Sequence, residues 1–262
     1  MLGETVESTW WDFQSHASWN RVARHYPGNF APQVARNLIT LYTKPGETVL
    51  DPFCGSGTSL VEASLLGRTA IGVDLSTRAI RFSRASLALV CQMTYPIPKL
   101  VRADARNLNF INNDSIDLVI LHPPYSTIVR YDRSDSRDLS NLHSIQSYAD
   151  SLGAVMSEAY RVLKSGRICA LLIGDVRREG LYYPLSMIAL CVGLRAGFVL
   201  IEEIVKHQIN CKSDAGWRNR PHNFLMIAHE HLYVLFKPRS PKQWGEFMRD
   251  VGLTQQIINP TP

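Results

Sequence analysis

The sequence predicts an α/β fold with a mostly parallel sheet of seven strands, of which the last is antiparallel. Seven short runs rich in Val, Ile and Leu recur along the chain, and they are continuously apolar, as in strands covered on both faces. Segments with apolar residues at helical spacing separate most of these runs, which is typical of βαβ units. The last two runs have no such segment between them, so the final strand is expected to reverse direction.

The predicted elements alternate in chain order. Glu47–Asp51 (ETVLD) and Thr69–Leu75 (TAIGVDL) open the series, and a segment with helical periodicity follows each of them. Strands are predicted over residues 47–51, 69–75, 99–104, 116–122, 167–175, 198–207 and 231–237. Helices are predicted over residues 33–43, 57–66, 77–91, 145–164 and 184–196.

Two long connections interrupt this series, at 126–144 and at 209–230. Loops of that length in a compact domain are usually functional or disordered. We therefore expect one domain over 25–238 that carries both loops. An N-terminal extension is expected over 1–24 and a loose C-terminal tail over 239–262.

The composition is that of an ordinary globular protein. The chain has 262 residues, 45% hydrophobic and 19% charged, and no apolar run of a length that would span a membrane. Its start shows no secretory signal pattern. The five cysteines are widely spaced and form no CxxC pair, so neither disulfides nor a metal site are predicted, and a reduced, cytoplasmic protein is expected. The net charge of +5 is compatible with a polyanionic partner.

A glycine-containing turn follows the first predicted strand. It has the sequence Asp51–Thr58 (DPFCGSGT), and a helix is predicted directly after it. Gly55 and Gly57 allow a tight turn and let a ligand approach the backbone, while the helix presents free amides to an anionic group. Leu60 breaks the dinucleotide pattern GxGxxG, and no Lys follows the second glycine as in a phosphate-binding loop. The turn therefore suits a nucleoside cofactor without a pyrophosphate.

Two acidic residues at later strand ends extend this site. Asp74 lies about twenty residues beyond the glycines, where a carboxylate accepts hydrogen bonds from a ribose diol in such folds. Asp104 ends the third strand, where it could reach an adenine amino group. Each could instead be a solvated strand-end residue or a helix cap. Because both share one sheet edge with the glycine turn, S-adenosylmethionine is the cofactor that fits. The cofactor contacts predicted on this basis are Asp51, Phe53, Gly55, Gly57, Thr58, Asp74 and Asp104.

The fourth predicted strand ends in Leu121–Tyr125 (LHPPY). Together with DPFCGSGT, this motif resembles the amino-group methyltransferases that modify adenine N6 or cytosine N4 in DNA. Their fourth motif is usually Asp-, Asn- or Ser-Pro-Pro followed by an aromatic residue. Further segments that resemble the family are 25–32 (HYPGNFAP), 160–167 (YRVLKSGR) and 229–237 (HEHLYVLFK). The resemblance covers residues 23–238 and implies a Rossmann-like, S-adenosylmethionine-dependent catalytic domain, with Phe30 near the methionine end of the cofactor.

The family chemistry implies roles for the HPPY residues. An exocyclic amine is conjugated with its ring and is a poor nucleophile, so the site must aim its lone pair at the methyl group. In the family, the first side chain of the motif and a proline carbonyl accept hydrogen bonds from the amine. Pro123 and Pro124 stiffen the turn. Tyr125 offers an aromatic face to a base rotated out of its helix, so Tyr125→Phe is expected to keep much activity.

His122 stands where the family has Asp, Asn or Ser. A neutral imidazole can accept one hydrogen bond from the amine; alternatively, His122 only packs and the proline carbonyl holds the substrate. The departure leaves both adenine and cytosine open as targets. Methylation of cytosine C5 would need a cysteine nucleophile, typically in a Pro-Cys pair, and the sequence has none. Cys54 is therefore interpreted as a packed residue of the turn.

Substrate contacts are predicted mainly from the two long loops. Basic residues interleaved with an aromatic residue suit phosphate contacts and base stacking, although such loops can also be merely solvated. The predicted nucleic-acid contacts are Arg130, Lys206, Lys212, Trp217, Arg218 and Arg220. The segment after Pro238 is too short for a recognition domain. Target choice is therefore expected to come from the loops, to come from a second subunit in a homodimer or as a specificity partner, or to be weak.

These observations favour a DNA amino-methyltransferase of the restriction–modification type. An RNA methyltransferase acting on a base amine is the first alternative, because RNA shape can supply specificity. Protein glutamine methylation, whose enzymes carry Asn-Pro-Pro-Tyr, is a second, and the basic loop and His122 argue against it. A third alternative is a non-catalytic partner subunit that keeps the fold for binding only. Such a subunit would be expected to lose site residues, and the sequence keeps Gly55, Gly57, Asp74 and Tyr125.

Overall fold

The structure is a computed structural model that describes residues 7–13, 26–90, 96–125, 135–142, 144–208 and 223–250. Its strands are β1 (Trp10–Trp11), β2 (Thr48–Asp51), β3 (Thr69–Asp74), β4 (Lys99–Arg102), β5 (Ile116–Leu121), β6 (Leu163–Ile173), β7 (Val176–Arg178), β8 (Leu181–Tyr183), β9 (Val199–His207) and β10 (His229–Phe236). Its helices are α1 (Pro32–Tyr42), α2 (Thr58–Leu65), α3 (Thr77–Val90), α4 (Ile145–Val162), α5 (Leu185–Arg195) and α6 (Pro241–Asp250), with a short 3-10 helix at Leu139–Asn141.

Eight strands form one sheet in the order β1-β9-β10-β6-β5-β2-β3-β4. Neighbouring strands are parallel except that β10 is antiparallel to both β6 and β9. The predicted fold, a mostly parallel sheet with a reversed last strand, is therefore confirmed. Because β5, β2 and β3 are parallel neighbours, their carboxyl ends bring His122, Asp51 and Asp74 to one edge of the sheet.

Three strands and one α-helix lie outside the sequence prediction. β1 comes from the predicted N-terminal extension and adds an eighth strand by pairing with β9, with Trp10 opposite Val205. β7 and β8 form an antiparallel hairpin soon after β6. α6 forms in the segment predicted to be a loose tail. Strands of two or three residues are too short to show a periodicity, so a pattern search does not detect them.

Helices cover both faces of the sheet. All six residues of the central strand β5 are buried. One core cluster packs α4 and α5 on the sheet, with Tyr148, Leu152 and Phe198 fully buried in it. The other packs α1 and α2 on the opposite face through Val34 and Leu60. None of the described helices combines the length and the apolar composition that crossing a bilayer requires.

Candidate active site

The turn between β2 and α2 has a conformation that requires its glycines. Gly55 and Gly57 are in the left-handed region, with φ of +50° and +84°, which residues with a side chain rarely adopt. A Cβ atom at Gly57 would lie 3.0 Å from Ser83 Oγ and 3.2 Å from Ser83 Cα. Gly57 therefore lets α3 pack closely against the turn, whereas the sequence prediction gives it a ligand contact. Gly55 does line the pocket described below.

Asp51, the last residue of β2, fixes the shape of the same turn. Its carboxylate accepts hydrogen bonds from the backbone N–H of Phe53 at 2.9 Å and from the hydroxyl of Ser59. Burial raises the pKa of Asp51 to about 7 despite these bonds. Asp51 thus acts on the turn from inside the protein, while Phe53 and Thr58 reach the pocket wall.

Two further carboxylates stand at the ends of β3 and β4. Asp74 accepts hydrogen bonds from the backbone N–H groups of Gly55 at 3.0 Å and Ser76 at 2.9 Å, and burial raises its pKa to about 6. Asp104 Oδ2 lies 2.7 Å from Arg106 Nη2. Burial alone would raise the pKa of Asp104, but the hydrogen bonds from Arg106 outweigh it and lower the pKa. Both carboxylates line the pocket.

A pocket with about 830 Å³ of empty space, counting its open mouth, lies at this edge of the sheet. Thr58 Oγ1 donates a hydrogen bond to Asn29 Oδ1 at 2.6 Å, which ties the segment before α1 to the glycine turn. Further lining residues that are not among the predicted site residues are Tyr26, Asn29, Asp135, Arg137, Asp138 and Leu139. No motif marks the last four of these, which lie in a predicted substrate loop. The predicted site residues on the pocket wall are Phe30, Phe53, Gly55, Thr58, Asp74, Asp104, His122 and Pro124.

His122 follows β5 and borders the pocket. Its Nε2 atom lies 2.8 Å from the hydroxyl oxygen of Tyr125. The ring of Phe30 packs edge-on against the imidazole, with 5.2 Å between the ring centroids. Burial lowers the pKa of His122 to about 4, so the imidazole is neutral near pH 7.

Hydrogen bonds and close packing hold the HPPY turn on two sides. The Tyr125 hydroxyl donates to Glu230 Oε1 at 2.7 Å, and the Tyr148 hydroxyl donates to the carbonyl of Pro124 at 3.0 Å. The ring of Tyr125 lies against Gly174, where a Cβ atom would come within 2.8 Å of Tyr125 Cε2. The turn is therefore a rigid frame whose geometry depends on side chains from α4 and β10.

Lys206 and Glu230 form a buried ion pair next to this turn. They face each other across β9 and β10, and Lys206 Nζ lies 2.6 Å from Glu230 Oε2. Their side chains are only 9% and 5% exposed. The predicted phosphate contact of Lys206 is therefore corrected, because its ammonium group lies inside the protein and is paired there, as a buried charge requires. The other predicted nucleic-acid contacts, Arg130, Lys212, Trp217, Arg218 and Arg220, lie outside the described residues.

Comparison with protein families identifies the chain. A family model described as DNA methylase, for the N6/N4 methyltransferases, matches residues 3–85 and 116–256. The chain belongs to this family. The matched ranges contain the glycine turn, the HPPY motif and Glu230.

Individual relatives match shorter stretches of the chain. A tRNA (guanine(10)-N2)-dimethyltransferase of Methanothermobacter thermautotrophicus is 36% identical over 38% of this chain and 29% of its own length. The type II methyltransferase M.BsoBI of Geobacillus stearothermophilus is 40% identical over 24% of this chain and 12% of its own length. The chain therefore matches less than a third of either relative.

Solved structures share the fold. TrmN from Thermus thermophilus matches with a TM-score of 0.57 and 20% identity over 84% of this chain and 52% of its own. A SAM-dependent methyltransferase from Methanosarcina mazei matches with a TM-score of 0.54 and 15% identity over 77% of this chain and 97% of its own. At this identity the likeness concerns the fold alone.

The family and the fold imply S-adenosylmethionine as the cofactor, and the pocket has groups of the right chemistry to hold it. Carboxylates at the ends of adjacent strands β3 and β4, Asp74 and Asp104, can accept hydrogen bonds from hydroxyl and amino groups. Phe30 and Phe53 add apolar wall. Cys54 is buried, and burial raises the pKa of its thiol well above the usual value, so the thiol stays protonated and is a poor nucleophile.

Proposed function

We propose that this N6/N4 methyltransferase transfers a methyl group to an exocyclic amine of a base in DNA, cytosine N4 or adenine N6. The observation that carries the proposal is the HPPY turn itself. It places a neutral imidazole, His122, on the wall of the pocket that suits the cofactor, and it is braced by Tyr148 and Glu230. A braced acceptor is what alignment of a poor amine nucleophile requires.

The residues of the turn divide the work of holding the amine. S-adenosylmethionine, held by Asp74 and Asp104, supplies an electrophilic methyl group when bound. His122 accepts one hydrogen bond from the amine. We assign the second acceptor to a proline carbonyl of the turn; the carbonyl of Pro124 accepts from Tyr148 and keeps a second lone pair. With both protons engaged, the nitrogen presents its lone pair to the methyl group.

A basic helix face supports a polyanionic substrate. Arg78, Arg81 and Arg84 recur every third residue on the exposed side of α3, which begins directly beyond Asp74 and Ser76 of the pocket wall. The helix contains no Asp or Glu. Within the described ranges, no carboxylate lies at ion-pair distance from these three guanidinium groups. Uncompensated arginines beside the pocket suit contacts with phosphates.

This face can be tested by removing its charge. In the variant Arg78→Gln/Arg81→Gln/Arg84→Gln, the slope of log K against log salt for duplex DNA should become shallower by about 0.9 for each phosphate that the variant no longer neutralises. Arg195→Gln is the matched control, since Arg195 is exposed at the end of α5, on the opposite edge of the sheet from the pocket. Equal slopes for the triple variant and the parent would remove this face from the interface.

A base amine in RNA is the second candidate substrate. It is favoured by the tRNA (guanine(10)-N2)-dimethyltransferases, which match a larger share of this chain than the type II DNA methyltransferase does. The deciding experiment incubates the chain with S-adenosylmethionine labelled on its methyl group and with separate DNA, tRNA and protein pools. We expect label in DNA, as N4-methylcytosine or N6-methyladenine after digestion to nucleosides. Label in N2-methylguanosine from tRNA would replace the DNA proposal with the RNA one, and label confined to protein would overturn both.

A further inference from the structure

We propose that Glu230 is a positioning residue that sets the tautomer of His122 through the hydroxyl of Tyr125. The inference rests on the proposed function, in which His122 accepts a hydrogen bond from the target amine. It concerns a residue outside the HPPY turn, more than a hundred positions later in the chain. The tautomer follows from how many protons this buried hydrogen-bonded chain contains and where they lie.

Glu230 reaches the turn because of the order of the strands. β6 lies between β5, which leads into the HPPY turn, and β10, which carries Glu230. Gly174 immediately follows β6 and has no side chain to separate Tyr125 from Glu230. The tyrosine ring crosses over this glycine, and its hydroxyl ends 2.7 Å from Glu230 Oε1.

Glu230 is a carboxylate that can only accept hydrogen bonds. Lys206 Nζ lies 2.6 Å from its Oε2, and Gln208 Nε2 donates to its Oε1 at 3.3 Å. Burial alone would raise the pKa of Glu230, but the charge of Lys206 and the hydrogen bonds that Glu230 accepts outweigh burial and lower the pKa. An ionised carboxylate has no proton to offer to Tyr125.

The single hydroxyl proton of Tyr125 is therefore directed at Glu230. The same hydroxyl oxygen lies 2.8 Å from His122 Nε2. If Nε2 were unprotonated, two acceptors would compete for one proton, and one contact at hydrogen-bond distance would be repulsive. Nε2 must therefore carry a proton and donate it to the Tyr125 oxygen. In a neutral imidazole this leaves the lone pair on Nδ1, which makes Nδ1 the acceptor for the amine.

Glu230→Gln tests this relay of hydrogen bonds from Glu230 through Tyr125 to His122, because a carboxamide reverses the direction of the bonds. Lys206 will claim the amide oxygen, so the amide nitrogen will donate to the Tyr125 oxygen. The Tyr125 hydroxyl then donates to His122 Nε2, and the proton of the imidazole moves to Nδ1. In that tautomer Nδ1 is a donor and opposes the N–H of the substrate.

The tautomer can be measured directly by long-range ¹H–¹⁵N correlation NMR of the histidine side chains. The signals of His122 are identified by their loss in His122→Ala. We expect the Nε2–H tautomer in the parent and the Nδ1–H tautomer in Glu230→Gln. Turnover should fall about ten- to a hundredfold in Glu230→Gln, with the KM for S-adenosylmethionine unchanged. Glu203→Gln is the matched control, because Glu203 accepts from a different histidine, His231, at 2.7 Å and should change neither measurement for His122.

Tyr125→Phe provides a second variant that leaves the Lys206–Glu230 pair intact. It removes the relay, so the His122 signals should no longer report a single tautomer. A parent in the Nδ1–H form, or an unchanged tautomer in both variants, overturns the inference even if His122→Ala is inactive. A tautomer that changes in Glu230→Gln without a loss of turnover overturns the positioning role. Full turnover in His122→Ala instead overturns the proposed function of His122 and leaves the tautomer assignment standing.

Discussion

Tyr125→Phe removes one hydroxyl group that serves two buried partners. Glu230 keeps Lys206 and the longer bond from Gln208 at 3.3 Å, so most of the cost falls on His122, whose Nε2–H loses its acceptor. An unsatisfied buried donor costs about 1–3 kcal/mol. The free energy of unfolding is therefore expected to fall by about that amount in Tyr125→Phe.

Urea unfolding would show the effect as a lower midpoint with an unchanged m value. Tyr42→Phe is the matched control, because the Tyr42 hydroxyl donates at 2.8 Å to the exposed carboxylate of Glu202, where water can replace the missing bond. Its loss of stability should stay within about 0.5 kcal/mol, as for surface substitutions in general. Equal midpoints for Tyr125→Phe and Tyr42→Phe would refute the reasoning about the buried network.

Turnover of the same variant separates two accounts of Tyr125. If the ring only stacks on the target base, Phe should keep most activity and Tyr125→Ala should lose about 1–3 kcal/mol, which is roughly ten- to a hundredfold. The sequence alone favours that account. The structure predicts that Phe also loses turnover, because His122 loses the hydroxyl that fixes its orientation and tautomer. Parent-like turnover in Tyr125→Phe would restore the stacking account.

The remaining predictions concern the turn, the frame and pH. Gly57→Val should abolish S-adenosylmethionine binding measured by calorimetry, since its φ of +84° and the nearness of Ser83 leave no room for a branched side chain; unchanged affinity would contradict this. Gly174→Ala should displace the Tyr125 ring and lower turnover without changing cofactor affinity; parent-like turnover would argue against the close approach. Burial raises the pKa of Asp74 to about 6 in the folded protein, whereas an Asp in the unfolded chain has a pKa of about 4. The folded state therefore binds this proton more tightly, which stabilises the fold fully below about pH 4, and this stabilisation is lost as the pH rises through about 6. Asp74→Asn should remove that decline from denaturation midpoints measured between pH 4 and 7, and an identical decline in the variant would show that the carboxylate is not its source.

The sequence predicts the cofactor side of the site well because local patterns determine it. Asp51, Asp74 and His122 each end or follow an apolar run, and parallel strands place such positions together at one edge. The packing role of Gly57 against α3 cannot be predicted from the local sequence in the same way. Its contact with Ser83 depends on the angle at which α3 returns over the turn, which tertiary packing decides.

Lys206 shows why a count of basic residues in the sequence does not predict which of them can contact a phosphate. Its neighbours in sequence suggest a basic surface segment, but its surroundings are set by the register in which β9 pairs with β10. That register places Lys206 directly opposite Glu230, a residue in the next strand. A slip of one strand by one residue would turn its side chain to the other face of the sheet and separate the pair. The burial and pairing of this lysine follow from that register and from the packing of other residues over it. Composition reveals neither of them.

The reversed direction of β10 explains how the site acquires Glu230. The carboxyl edge of the sheet collects the last residues of parallel strands, as with Asp51 and Asp74. An antiparallel strand presents its first residues there instead, and Glu230 is the second residue of β10. A parallel last strand would bring Phe236 to this edge and leave Tyr125 and Lys206 without a carboxylate. The strand reversal is therefore part of the candidate active site, since it supplies the acceptor that orients the HPPY turn.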